Sequence, residues 1–123
     1  MAKVLIVEDN ESLRLAYSSF LEQEGFTVAT ASRVKEALEY LATNTPDIIL
    51  LDMLMPEMNG LELLQHYDVV NAHKDVRVIA FSNLTEPRIE QEALSLGVSL
   101  YMTKATATPK ELVERINGLL SSK

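Results

Sequence analysis

Two kinds of segment alternate along the whole chain. Segments of the first kind are short, apolar and rich in branched side chains, which predicts strands. These five strands are expected at residues 3–7, 27–31, 47–51, 76–81 and 98–102. In segments of the second kind, apolar side chains recur every three or four residues, which predicts helices. These five helices are expected at residues 11–24, 33–43, 60–70, 86–96 and 109–120. This β-α alternation predicts a doubly wound α/β fold with a parallel sheet, right-handed crossovers and helices on both faces.

Polar residues and glycines support several of these boundaries. Thr108 precedes Pro109 and Glu111, an order typical of the capped start of a helix. Gly25 and Gly97 follow predicted helices at positions where a left-handed residue would end them.

Length and composition indicate a single domain, residues 1–123. Apolar residues make up 47% of the chain, enough for a core. The chain contains no cysteine, which excludes disulfides and thiol catalysis. The formal charge of −7 argues against direct binding to nucleic acid or to an anionic membrane surface. The first apolar segment is too short for a signal peptide or a membrane span, so we expect a cytoplasmic protein.

Carboxylates follow two of the predicted strands. Glu8 and Asp9 come after the first strand, and Asp52 comes after the third. If these strands are neighbours, three carboxylates meet at one edge of the sheet, where open α/β sheets bind ligands. Two unit charges about 4 Å apart repel by about 4 kcal/mol at an effective dielectric near 20. Mg²⁺, which prefers oxygen ligands, is the natural counter-ion, and Lys104 after the fifth strand offers a second positive charge.

The same edge carries the groups that phosphoryl transfer requires. An acyl phosphate on Asp52 would add negative charge, which Mg²⁺ and Lys104 could share. Ser82, at the end of the fourth strand, could donate a hydroxyl hydrogen bond to a phosphoryl oxygen. Each of these residues alone is more often structural. Their joint placement at the ends of four strands favours a phosphoryl-transfer site.

These residues resemble the receiver domain of two-component response regulators, including its single-domain chemotaxis type. The resemblance covers almost the whole chain, and its motifs are highly specific. They lie at residues 4–10, 46–56 with 59–60, 79–82 and 101–104. The resemblance implies a flavodoxin-like sheet of strand order 2-1-3-4-5.

The resemblance also implies the chemistry. Asp52 would accept a phosphoryl group from the phosphohistidine of a sensor histidine kinase or a phosphotransfer protein. Mg²⁺ would be held by Asp9, Asp52 and the backbone carbonyl of Met53, with Glu8 acting mainly through water. Such a domain acts on no separate substrate, and catalyses only its own phosphorylation and dephosphorylation.

A switch follows from the same resemblance. Phosphorylation would draw the Ser82 hydroxyl toward the phosphoryl group, and Tyr101 would turn inward into the vacated space. The face made by the fourth helix, fifth strand and fifth helix would then change and bind an effector protein. We expect a monomer that could dimerise on phosphorylation.

The sequence departs from the family pattern at two positions and leaves two other functions open. Ala105 follows Lys104 where the family commonly has proline, and Asn83 stands where many receivers have Ala or Gly. A degenerate receiver that binds partners without phosphorylation is therefore the main alternative. A metal-dependent hydrolase with an Asp nucleophile is less favoured, because Leu54 offers no acid near Asp52.

Overall fold

The computed structural model describes residues 2–53, 59–82, 87–104 and 108–121. Strands and helices alternate strictly along this part of the chain. The strands are β1 Lys3–Val7, β2 Thr27–Ala31, β3 Ile48–Asp52, β4 Arg77–Ser82 and β5 Leu100–Thr103. The helices are α1 Glu11–Gln23, α2 Val34–Leu41, α3 Gly60–His66, α4 Pro87–Ser95 and α5 Pro109–Ser121. Within the described residues, no helix is long and apolar enough to span a membrane.

The five strands form one parallel sheet in the order β2-β1-β3-β4-β5, which confirms the predicted fold. From β1 the chain passes first to β2 on one side and then to β3 on the other. The connections after β1 and β3 therefore leave in opposite directions, and a crevice opens between the carboxyl ends of these two strands.

The two faces of the sheet carry separate apolar clusters. All five residues of β3 are buried, because helices cover both faces. On one face, Leu5 and Ile49 pack with side chains from α2, α3 and α4, and we call this the α2/α3/α4 face. On the other, Ile6 and Leu50 pack with side chains from α1 and α5, and we call this the α1/α5 face.

Helix α3 is shorter than the sequence pattern predicts, ending at His66 instead of residue 70. Tyr67 leaves the helix with extended dihedrals, φ −121° and ψ 99°. The Asp68 carboxylate then accepts hydrogen bonds from the backbone N–H groups of Val70 and Asn71. These bonds stabilise a turn, and side-chain bonds of this kind compete with helix formation. The remaining predicted boundaries are within about two residues of the observed ones.

Side-chain caps fix the helix starts that lie beside the crevice. The Asn10 side chain accepts from the N–H of Leu13 at the start of α1. Asn59 and Glu62 form a reciprocal capping box at the start of α3. The chain between β1 and α1 and the first turn of α3 are thereby held in place.

The predicted helix ends at Gly25 and Gly97 are confirmed by positive φ angles of 97° and 101°. At Gly97 the packing is also tight. An added Cβ would lie 2.7 Å from Val69 Cγ2, so both conformation and space require glycine there.

Candidate functional site

The crevice between β1 and β3 is lined by acidic side chains that are almost fully buried. Glu8 directly follows β1 and is 3% exposed, and Asp52 ends β3 and is 4% exposed. Charged carboxylates are rarely buried to this extent without a partner. The site therefore requires nearby positive charge.

Strand alternation explains why these two carboxylates point the same way. Side chains two residues apart on a strand share a face of the sheet. Ile6 and Leu50 pack on the α1/α5 face, so Glu8 and Asp52, two residues further on, belong to that face as well. Met102 of β5 also packs on the α1/α5 face, so Lys104, two residues further on, belongs to that face too.

Lys104 supplies the positive charge. Its Nζ atom lies 2.8 Å from both carboxylate oxygens of Glu8 and 3.2 Å from Oδ2 of Asp52. Because the side chains of all three residues are at most 11% exposed, solvent screens these contacts little. A single ammonium group thus bridges two carboxylates that would otherwise repel each other.

The same contacts keep Lys104 protonated. Burial alone would lower the pKa of Lys104, but the hydrogen bond to Glu8 and the charge of Asp52 outweigh it. The pKa therefore lies above its ordinary value of 10.5. Lys104 carries a full positive charge at neutral pH.

Asp9 completes the acidic cluster on its solvent side. One carboxylate oxygen from each of Glu8, Asp9 and Asp52 lies within 4.8 Å of the others, and Asp9 is exposed. The Arg14 guanidinium donates to the carbonyl oxygen of Glu8 at 3.0 Å and to that of Asp9 at 3.5 Å. Helix α1 therefore fixes the loop that carries both residues.

The donor set fits a Mg²⁺ ion. One oxygen from each of the three carboxylates lies within 4.8 Å of the others, and carboxylate oxygens are ligands that Mg²⁺ prefers. Their charge of −3 exceeds the +1 of Lys104 by two, which equals the charge of the ion. Oxygen donors alone, with one side open to water, suit Mg²⁺ better than softer metals.

The Met53 backbone makes two hydrogen bonds to neighbouring elements. Its carbonyl oxygen accepts a hydrogen bond from the Gly60 N–H at 3.2 Å, and its own N–H donates to the Phe81 carbonyl. The described contacts therefore connect the Met53 backbone to α3 and β4, and its role as a ligand stays a prediction. Asn83, Ala105 and Leu54, the positions that bear on the alternative functions, lie outside the described residues.

Ser82 and Tyr101 belong to the other face of the sheet. Ser82 ends β4 and is fully buried. By strand alternation it shares the face of Ala80 and Val78, which pack in the α2/α3/α4 cluster. Tyr101 on the neighbouring strand is partly buried against that cluster. The Ser82 carbonyl accepts from the N–H of Lys104 at 2.9 Å, which ties the end of β4 to the lysine.

The sequence interpretation missed Tyr17, which lies beside the site on α1. The Tyr17 ring meets Phe81 edge to face, with centroids 5.4 Å apart and an interplanar angle of 89°. Burial raises the pKa of Tyr17, and the charges of Lys104, Glu8 and Asp52 also act on its hydroxyl. The spacing of Leu13, Tyr17 and Leu21 predicts that they share one face of α1, but it does not indicate that this face meets the site.

Comparison of the sequence with known proteins shows that this chain is similar to response regulators. The family model of the response regulator receiver domain matches residues 4–117. The response regulator SaeR of Staphylococcus aureus is 38% identical over 125 residues, which cover 98% of this chain and 51% of SaeR. The chain therefore spans about half the length of the curated relatives it matches.

Solved structures agree over the whole chain. The Vibrio cholerae chemotaxis protein CheY4 superimposes with a TM-score of 0.89 at 30% identity, covering 98% of this chain and 99% of CheY4. The receiver domain of the Francisella response regulator 1452 gives a TM-score of 0.87 at 30% identity, covering 99% and 98%. A CheY-like receiver from Methanospirillum hungatei JF-1 has a TM-score of 0.91, covers 99% and 95%, and at 24% identity supports the fold alone.

Proposed function

This chain belongs to the receiver domain family of response regulators, and on that premise we propose that it is a phosphorylatable switch with Asp52 as the phosphoacceptor. The observation that carries the proposal is the buried cluster of Glu8, Asp52 and Lys104 in the crevice between β1 and β3. Receiver domains are in general not enzymes with a separate substrate.

The proposed reaction moves a phosphoryl group between two side chains. A carboxylate oxygen of Asp52 attacks the phosphorus of a phosphohistidine on a sensor kinase or phosphotransfer protein. The P–N bond breaks, its electron pair returns to the imidazole nitrogen, and an acyl phosphate forms on Asp52. Water later cleaves the P–O bond and restores the carboxylate with release of inorganic phosphate. Positioning and charge compensation supply most of the catalysis in such transfers.

Lys104 would provide much of that charge compensation. Its ammonium group already lies 3.2 Å from Oδ2 of Asp52. Glu8 holds the ammonium there through both carboxylate oxygens. Releasing Asp52 for reaction would leave Lys104 anchored to Glu8 and free to contact a phosphoryl oxygen.

Asp9 and Asp52 would hold the metal, with Glu8 contributing through water. The ion would supply positive charge to the phosphoryl oxygens. Asp9 suits this role because it is the exposed member of the cluster and makes no ion pair within the described residues. The carboxylate of Asp9 can thus be recruited without breaking the Glu8–Lys104 pair.

The output would pass to a partner protein. In this proposal the Ser82 hydroxyl moves toward the phosphoryl group, Tyr101 turns inward, and the surface of α4, β5 and α5 changes. Their position on the α2/α3/α4 face supports this, since Ser82 and Tyr101 lie on adjacent strands and Tyr101 packs against the cluster of that face. We place the protein in the cytoplasm as a monomer, with dimerisation on phosphorylation as one form of output.

Acetyl phosphate tests the proposal without knowledge of the kinase. The chain is incubated with Mg²⁺ and acetyl phosphate, and its intact mass is recorded. We expect one added phosphate on the unmodified chain and none on Asp52→Asn, with Asp68→Asn as the matched control that is still phosphorylated. An unmodified mass in the starting chain would favour the degenerate receiver, and phosphate on Asp52→Asn would refute the assignment of the acceptor.

A further inference from the structure

A small cavity lies directly beside the Asp52 carboxylate on the α1/α5 face. Eight residues from β1, α1, β3, β4 and α5 line it. They are Ile6, Val7, Glu8, Tyr17, Leu50, Asp52, Phe81 and Leu112. Apart from the two carboxylates, the lining is made of apolar and aromatic side chains.

Tyr17 differs from the other lining residues in its exposure. The other seven are buried, whereas Tyr17 is only partly buried. The Tyr17 residue lines the cavity and its ring contacts Phe81, while part of its surface is exposed to solvent. Among the lining residues, Tyr17 is therefore the one that contacts both the cavity beside Asp52 and water on the side of α1.

Burial raises the pKa of the Tyr17 hydroxyl, and charged groups of the site also act on it. Lys104, Glu8 and Asp52 all act on the phenol, so it lies within the range of their charges. Removing the ring would open a path for water to the inner side of the Asp52 site. Substituting phenylalanine would remove only the hydroxyl and would leave the wall intact.

We propose that Tyr17 is a positioning residue that sets the lifetime of phosphorylated Asp52 by excluding water from the α1 side of the site. The inference rests on the proposed function, because it concerns the acyl phosphate formed there. An acyl phosphate is lost by attack of water, and closing a site to water protects intermediates that water would hydrolyse.

The test compares the decay of phosphorylated chains. The starting chain, Tyr17→Ala and Tyr17→Phe are phosphorylated with acetyl phosphate and Mg²⁺, the donor is removed, and the phosphorylated fraction is followed by intact mass. We expect Tyr17→Ala to lose phosphate several-fold faster than the starting chain. Tyr17→Phe should decay at the rate of the starting chain, because the ring alone excludes water.

Tyr40→Ala is the matched control for a general loosening of the fold. Tyr40 lies on α2, is also partly buried, and packs against the cluster of the opposite face. The loss of the Tyr40 side chain should leave the decay rate unchanged, while urea unfolding reports the stability of every variant.

Three outcomes would contradict the inference. Equal decay of Tyr17→Ala and the starting chain would overturn the inference alone. If Tyr40→Ala loses phosphate as fast as Tyr17→Ala, a general loosening of the fold explains both rates and the inference is overturned. A starting chain that takes up no phosphate would overturn the proposed function and this inference with it.

Discussion

The two faces of the sheet carry different kinds of polar chemistry. On the α1/α5 face, Glu8, Asp52 and Lys104 form a buried network of charges at the strand ends. On the α2/α3/α4 face, Ser82 and Tyr101 are neutral hydrogen-bonding side chains among apolar neighbours. The period of two along each strand places these sets on opposite faces of the sheet. The difference indicates that reaction and response can occupy opposite faces of adjacent strands.

Removal of the lysine charge should produce the largest effect. Lys104→Met leaves Glu8 and Asp52 buried close together without their cation. We expect a loss of about 3 kcal/mol in the free energy of unfolding, since breaking a buried ion pair leaves an uncompensated charge. Urea unfolding in the presence of a chelator measures it. Added Mg²⁺ should restore part of the loss, because the metal replaces the missing positive charge.

Arg115→Met is the control for this prediction. Arg115 pairs with Glu111 on α5 at 3.9 Å, and both side chains are largely exposed. We expect a change within about 0.5 kcal/mol, as for most surface ion pairs. Equal effects of the two substitutions would show that the Lys104 network is no more stabilising than a surface pair.

A substitution that displaces the end of β3 from the α3 side should have a smaller effect on stability. A Cβ at Gly60 would lie 2.7 Å from Met53 Sδ, 3.0 Å from the Asp52 carbonyl oxygen and 3.1 Å from Leu51 Cγ. Gly60→Ala must displace the end of β3, at a cost of about 1–2 kcal/mol. We expect urea unfolding to show this loss and phosphate uptake from acetyl phosphate to slow.

Gly118→Ala provides the comparison, because an added Cβ on α5 meets no atom within 4 Å. Since Gly118 lies within a helix, alanine there should stabilise the protein by up to about 1 kcal/mol and leave phosphate uptake unchanged. Full phosphate uptake by Gly60→Ala would indicate that Asp52 tolerates movement from the α3 side.

Strand periodicity predicted most of the fold and the main charges of the site. Because a parallel sheet brings its strand ends together, Glu8, Asp52 and Lys104 could be placed at one edge from their positions alone. The pattern did not indicate which carboxylate Lys104 would prefer. That preference depends on the folded arrangement, in which the ammonium lies 2.8 Å from both oxygens of Glu8 and 3.2 Å from Oδ2 of Asp52.

Two differences between the sequence predictions and the structure have local physical causes. The predicted end of α3 was wrong because Tyr67 and Val69 continue the apolar pattern of the helix. In the structure, the Asp68 carboxylate stabilises a turn at that point instead. Tyr17 was missed because an aromatic residue on a helix face is usually core, and its exposure and its position beside Asp52 are tertiary properties. Periodicity assigns a residue to a face of its helix and carries no information on what lies opposite.

The most direct test of the division between the faces is the response of Ser82→Ala to beryllofluoride, a mimic of a phosphoryl group on a carboxylate. The NMR signals of Tyr101 are recorded with and without Mg²⁺ and beryllofluoride, and phosphate uptake is measured in parallel by mass. We predict that Ser82→Ala still takes up phosphate on Asp52, while its Tyr101 signals no longer shift as they do in the starting chain. Loss of phosphate uptake in Ser82→Ala, or an unchanged Tyr101 shift, would contradict the separation of reaction from response.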